Sequence, residues 1–169
     1  MAIFAPKRAP PNRSIYEALG ELVYAFNALE AMLLQSLVFT LGGTEEADIV
    51  VAGLSFNQAL DRFSILFNEF LDKNVDGGTA GFCSHVAAIN DERNRHIHGH
   101  WGFWGSGQPS RRRKRLKRGH GVDVRYEGVD PSEVRDLAAR LNAHAKIVYE
   151  ATRDLLKFRQ SQPALPRHP

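Results

Sequence analysis

Cysteine is almost missing from this chain. Among 169 residues there is one, Cys83, which excludes an intrachain disulfide framework and a cysteine-ligated zinc site and points to a reducing compartment. No uninterrupted apolar run approaches the ~18 residues of a membrane span, and neither an internal repeat nor a glycine-rich phosphate loop occurs. The opening Met-Ala-Ile-Phe-Ala-Pro-Lys-Arg lacks the charged-then-apolar order of a signal peptide. A cytoplasmic protein without a membrane partner is the expectation. What is present, 43% hydrophobic and 24% charged positions, is the balance of a soluble globular domain.

Charge is concentrated rather than abundant. The formal net charge is +3, yet seven of the 22 basic residues fall within Arg111, Arg112, Arg113, Lys114, Arg115, Leu116, Lys117 and Arg118. The other basic residues are outnumbered by 19 acids, so the rest of the chain is mildly acidic. One intense positive patch on an acidic body suits a localised polyanion contact, with nucleic acid ahead of anionic lipid. The plainer alternative is a solvated basic loop.

Hydrophobic spacing predicts an all-α, antiparallel four-helix bundle over residues 14–158, between irregular basic, Pro-rich (1–13) and Pro-rich (159–169) tails. Ser14 and Glu17 form a capping-box pattern. Ile15, Leu19, Leu22, Phe26, Leu29 and Leu33 then make one apolar seam that stops at Gly42-Gly43. A second helix opens at Ser55 with Gln58 three residues on, and its seam of Leu60, Phe63, Phe67, Phe70 and Leu71 carries it to about Lys73. The third begins near Thr79, buries Phe82, Val86 and Ile89, and ends at Gly99. The fourth starts with Asp130-Pro131-Ser132-Glu133 and steps through Val134, Leu137, Leu141, His144, Val148, Ala151 and Leu155. Residues 99–129 are too long for a plain connector. They read as a basic loop, or as a short hairpin in which Trp101, Phe103 and Trp104 pair with the alternating stretch Val122 to Tyr126 and the basic run forms the tip.

Four residues beyond Ile89, the third helix's seam reaches Arg93. A buried, unpaired guanidinium would cost roughly several kcal/mol, so Arg93 requires a carboxylate such as Glu30 or Asp61, a wet cleft, or a subunit interface. The residues that follow are Asn94-Arg95-His96-Ile97-His98. An Arg, a polar residue and a His five positions after the Arg, at the end of a bundle helix, resemble the motif of the HEPN superfamily (higher eukaryotes and prokaryotes nucleotide-binding domains). The resemblance covers about residues 14–158. It implies a metal-independent endoribonuclease without cofactor, acting as a homodimer whose two motif helices share a cleft, in the manner of a toxin or defence effector with a neutralising antitoxin partner. Arg93, Asn94 and His98 match the family's catalytic positions, whereas Arg95, His96 and His100 have no family role.

The residue chemistry agrees with that implication. Imidazole exchanges protons near neutral pH and suits general acid–base attack by a ribose 2′-hydroxyl. A guanidinium stabilises charge on the transferring phosphate, and Asn94, one turn before His98, is placed to orient it. Arg93 and His98 diverge by about 140° on an ideal helix, which a dimeric cleft resolves. Arg95 and the basic run are the expected RNA-binding residues. Metal binding by His96, His98 and His100 is the weaker reading, since alternate residues on a helix do not converge. His144 is expected to be a hydrogen-bonded core histidine, and the Trp101 cluster to pack on the bundle's end. The rival to catalysis is a noncatalytic nucleic-acid-binding or adaptor module that dimerises through the motif helix.

Overall fold

A computed structural model describes residues 13–103, 109–117 and 121–161. The chain is mostly helical, with a small antiparallel sheet: α1 (Arg13–Thr40), α2 (Glu45–Ala52), α3 (Phe56–Leu66), α4 (Asn68–Asn74), α5 (Gly78–Ile97), β1 (His100–Phe103), β2 (Pro109–Lys117), β3 (Gly121–Gly128) and α6 (Pro131–Ser161). It divides into two compact units, Met1–Ala25 with Ile89–Ala139, and Phe26–Ala88 with Arg140–Pro169. The unit boundaries fall inside α1, α5 and α6.

In the unit Phe26–Ala88 with Arg140–Pro169, packing is apolar and aromatic. Leu29, Leu33, Phe63, Leu71, Phe82, Val86, Leu141 and Val148 are fully or almost fully buried. Phe63 stacks on Phe67 with centroids 4.4 Å apart and meets Phe82 at 6.0 Å, while Phe26 packs on Phe56 at 4.8 Å. Two buried hydroxyls, Ser36 and Thr152, lie 2.6 Å apart. The carbonyls of Met32 and Val148, each on the same helix as its hydroxyl, are also within reach; one hydroxyl donates to the other, and the acceptor of that bond donates to its own carbonyl, which offsets the desolvation of both.

Local chemistry explains most of the boundaries. Gly42 and Gly43 adopt φ of 104° and 69°, and the Gly43 amide donates to the Val38 carbonyl at 2.9 Å, closing α1 with the left-handed cap that glycine permits. Ser55 and Gln58 complete the expected reciprocal capping box of α3. Asp72 accepts from the Thr79 amide at 2.7 Å at the start of α5, and this bond holds its carboxyl below the ordinary range. Asp130 accepts from the Ser132 amide at 2.8 Å ahead of α6, with the same effect on its own carboxyl.

Several boundaries differ from the sequence reading. Ser14 is already helical, and its hydroxyl accepts from Arg135 at 3.2 Å. Glu17 instead accepts from Arg13 at 2.9 Å, so Arg13 is the first residue of α1 and not the last of a tail. At the other end α6 runs to Ser161, three residues into the segment expected to be irregular; residues 1–12 and 162–169 lie outside the described part. The expected second helix breaks at Phe67, where φ −115° and ψ 17° leave the helical region while the ring stacks on Phe63. The short α2 was not foreseen, because Ala47 and Val51 are its only buried residues and make no long seam. Among the described residues, six helices therefore stand where four were expected.

Uninterrupted apolar runs are short, yet α1 taken as a window is long and apolar enough to cross a membrane, with a mean hydropathy of 1.5. Counting unbroken runs misses it because isolated polar residues interrupt the pattern. In this fold 39% of that window is buried inside the protein.

The 99–129 segment departs furthest from expectation. It forms a three-stranded sheet of order β1-β2-β3, and the basic run is the central strand rather than a hairpin tip. Trp101 pairs with Arg111 and not with the Val122 stretch. The register continues through Arg111↔Glu127, Arg112↔Tyr126, Arg113↔Arg125, Lys114↔Val124 and Arg115↔Asp123. Backbone pairing on both edges of β2 holds the run extended, where a loop or hairpin tip was expected.

Candidate functional site

The sequence-predicted residues cluster where α5 ends and β1 begins, inside the unit that holds Ile89–Ala139. Arg93 and Asn94 are half-buried, and the Arg93 Nη1 donates to the Asn94 Oδ1 at 2.7 Å. His98 is exposed. Its backbone amide donates to the Asn94 carbonyl at 2.9 Å, so the helical turn continues to His98. No hydrogen bond joins the Asn94 carboxamide to the imidazole. The structure therefore ties Asn94 to Arg93, not to His98 as the one-turn spacing suggested, because the neighbouring guanidinium is the stronger donor. Arg95 is exposed on the last turn.

The alternating histidines separate as the geometry demands. His96 is 5% exposed, whereas His98 and His100 face solvent. The His96 ring stacks on Trp101, centroids 6.1 Å apart and planes 22° apart. The Trp101 indole N–H donates to the His96 carbonyl at 2.8 Å, satisfying one of the carbonyls left open at the end of α5. Trp101 thus packs on the helix end as expected; Trp104 lies outside the described residues. Burial, reinforced by the cation of Arg111, holds the His96 imidazolium below its ordinary pKa. Among the described residues no group of three or more His, Cys, Asp or Glu converges as a metal site would require.

Arg111 reaches this end of α5 because of Gly99. A Cβ at Gly99 would lie 2.7 Å from the Arg95 carbonyl oxygen and 2.8 Å from the Arg111 Cδ, so the arginine stem crosses a surface that only glycine leaves open. The Arg111 side chain is 14% exposed, and its Nη2 donates to the Glu127 Oε2 at 3.3 Å, directly across the sheet. Cations near a helix C-terminus oppose its negative end. Arg112 is half-buried as well, with its Nε out of solvent. The first two residues of the basic run are thus built into the fold, where the plainer expectation was a solvated loop. Arg113, Lys114, Arg115 and Lys117 occupy β2, and Arg118 lies outside the described residues.

His144 is half-buried. Its Nδ1 is 2.8 Å from the Arg140 carbonyl oxygen, and its ring lies 5.6 Å from Phe82. This is the hydrogen-bonded packing role expected of it. Sequence reading counts Tyr126 only as the end of the alternating stretch Val122 to Tyr126 and passes over Glu127; the partners of both became visible only with the register.

Compared with family models, curated proteins and solved structures, the chain matches none of them.

Proposed function

We propose that this chain is a HEPN-like, metal-independent endoribonuclease of the four-helix-bundle type that works in the cytoplasm as a homodimer. The observation that carries the reading is the end of α5: a guanidinium tied to Asn94, an exposed His98 on the next turn, and a strand of cations beside them. In this mechanism the His98 imidazole removes the proton from a ribose 2′-hydroxyl. The oxygen attacks phosphorus, the P–O5′ bond breaks, and the 5′-oxygen takes a proton from water, whose hydroxide is neutralised by the proton held on His98. The products are a 2′,3′-cyclic phosphate and a 5′-hydroxyl. Arg93 offsets the charge that builds on the phosphate oxygens. Because Arg93 and His98 diverge by about 140° on one helix, the pair that acts on one phosphate comes from two copies.

The test is incubation of the pure protein with single-stranded RNA in excess EDTA. Cyclic-phosphate ends are expected, and their loss in His98→Ala with an unchanged melting curve. Light scattering should report about twice the 18.9 kDa chain mass. Strict dependence on an added divalent metal, or full activity in His98→Ala, overturns the mechanism. A second reading, a noncatalytic RNA-binding module, is favoured by the missing hydrogen bond between Asn94 and the His98 imidazole. It requires RNA that is bound and never cut.

A further inference from the structure

The three-stranded sheet has two unlike faces. Directly paired residues share a face, so Trp101, Arg111 and Glu127 lie on one side and His100, Arg112 and Tyr126 on the other. The first row is turned inward: Trp101 covers His96, and Arg111 lies over Gly99. In the second row His100 is exposed, Tyr126 is 51% exposed, and Arg112 is half-buried between them. Val124, on the same strand face as Tyr126, is also exposed. Neighbouring strands are about 4.8 Å apart, so the imidazole and the phenol stand on strands about 10 Å apart with a guanidinium-bearing strand between them.

We infer that this outer face, through Tyr126 and His100 flanking Arg112, is a base-stacking platform for single-stranded RNA. The inference rests on the RNA reading above and adds to it the mode of binding. Charge complementarity selects the occupant. Arg112 stands in the row of Tyr126, and the position of Lys114 follows it in the same row opposite Val124, within the most basic stretch of the chain. A bare cationic strand would hold phosphates and nothing more. Planar groups in register across it add affinity for unpaired bases, whose flat faces stack on aromatic rings and on guanidinium planes. A duplex keeps its bases stacked on one another and offers no such face. The platform begins two residues after His98, at the first residue of β1, so a strand lying along it leaves the chain's basic surface beside the motif helix.

The probe is a fluorescein-labelled 2′-O-methyl oligouridine of about 10 nucleotides. It has no 2′-hydroxyl nucleophile, so it reports binding whether or not the protein cuts RNA. An abasic strand of the same length serves as the comparison. Tyr126→Ala should weaken binding of the oligouridine about tenfold, and Tyr126→Phe should stay within about twofold. Tyr126→Leu, which keeps bulk in the strand and lacks a π face, should behave as the alanine variant while retaining the native circular dichroism. The slope of log affinity against log salt should not move, because no cation has been removed. The abasic strand should bind native protein and Tyr126→Ala alike. Undiminished oligouridine binding by both the Ala and Leu variants, or an equal loss on the abasic strand, overturns the platform, as does absence of binding by the native chain. Cleavage of unmodified RNA is measured separately, so a failed platform and a failed ribonuclease reading are told apart.

Discussion

The two units of this chain solve burial in different ways. In the unit containing Phe26–Ala88, the interior is built of phenylalanine rings and leucines, and its buried hydroxyl pair, Ser36 and Thr152, is satisfied locally. In the unit containing Ile89–Ala139, an apolar set that includes Ile15, Leu22, Val134 and Leu137 is joined by an imidazole, a guanidinium stem and a serine withdrawn from solvent around a helix end and a small sheet. The polar part of this second interior depends on register: Arg111 meets its carboxylate because β2 and β3 pair as they do.

The largest effect expected from breaking this contrast is in the aromatic interior. Phe63 is fully buried and touches two other rings, so Phe63→Ala should cost about 3–5 kcal/mol from lost transfer and cavity formation. A urea-unfolding midpoint that drops by less than about 1 kcal/mol equivalent would show that the ring cluster is loosely packed.

The two interiors were also unequally legible. Periodicity locates α1, α5 and α6 and picks Leu22, Leu33, Phe63, Phe82 and Leu141 as core because apolar burial leaves a 3.6-residue trace. Caps at Ser55 and Asp130 are readable from side-chain chemistry alone. The break at Phe67 is not, since a ring can stay buried on either side of a kink. Strand β2 was illegible for a different reason: Arg-Arg-Arg-Lys-Arg has no alternation, and its conformation follows from partners at Trp101 and Glu127, ten and sixteen residues away. Within the site the motif residues were visible, but the bond between Arg93 and Asn94 and the burial of His96 depend on what packs against the helix end.

Within the unit that holds Ile89–Ala139, two glycines should respond with opposite sign and so sharpen what is particular to its helix end. Gly99→Ala pushes a Cβ against a backbone carbonyl and the Arg111 stem, and overpacking of this kind costs about 1–3 kcal/mol. Faster hydrogen exchange should appear around Trp101 and Arg111. Gly20 lies in α1 with open space around it, so Gly20→Ala should stabilise by about 0.5–1 kcal/mol through helix propensity. Equal effects from both would mean that Arg111 does not rest on the helix end.

Glu127→Gln removes the charge facing Arg111 while keeping an amide oxygen that can accept. The pair is part-exposed on the glutamate side, 37% against 14%, so solvent screening holds the loss to about 0.5–1 kcal/mol. The change should be visible in thermal melts and smaller at high salt. A loss several times larger would show that the Arg111 cation depends wholly on this carboxylate.

The smallest effect concerns His96, and its sign is set by burial. The folded protein favours the neutral imidazole, chiefly because the ring is removed from water and secondarily because Arg111 is close. As pH falls, the unfolded chain therefore takes up the proton first, at the ordinary value of 6.5. The stability that neutral His96 contributes is complete above that pH and is lost as the pH falls from there through the lower folded-state pKa. His96→Phe keeps a flat ring against Trp101 and cannot titrate. Urea-unfolding midpoints measured from about pH 7.5 down to pH 5 should therefore fall more steeply for the native chain than for the variant. The other six histidines of the chain are common to both proteins, so their contributions drop out of the difference. Identical slopes would place the His96 ring in water, and a steeper fall in His96→Phe would mean that folding favours the imidazolium, which neither its burial nor the Arg111 cation allows.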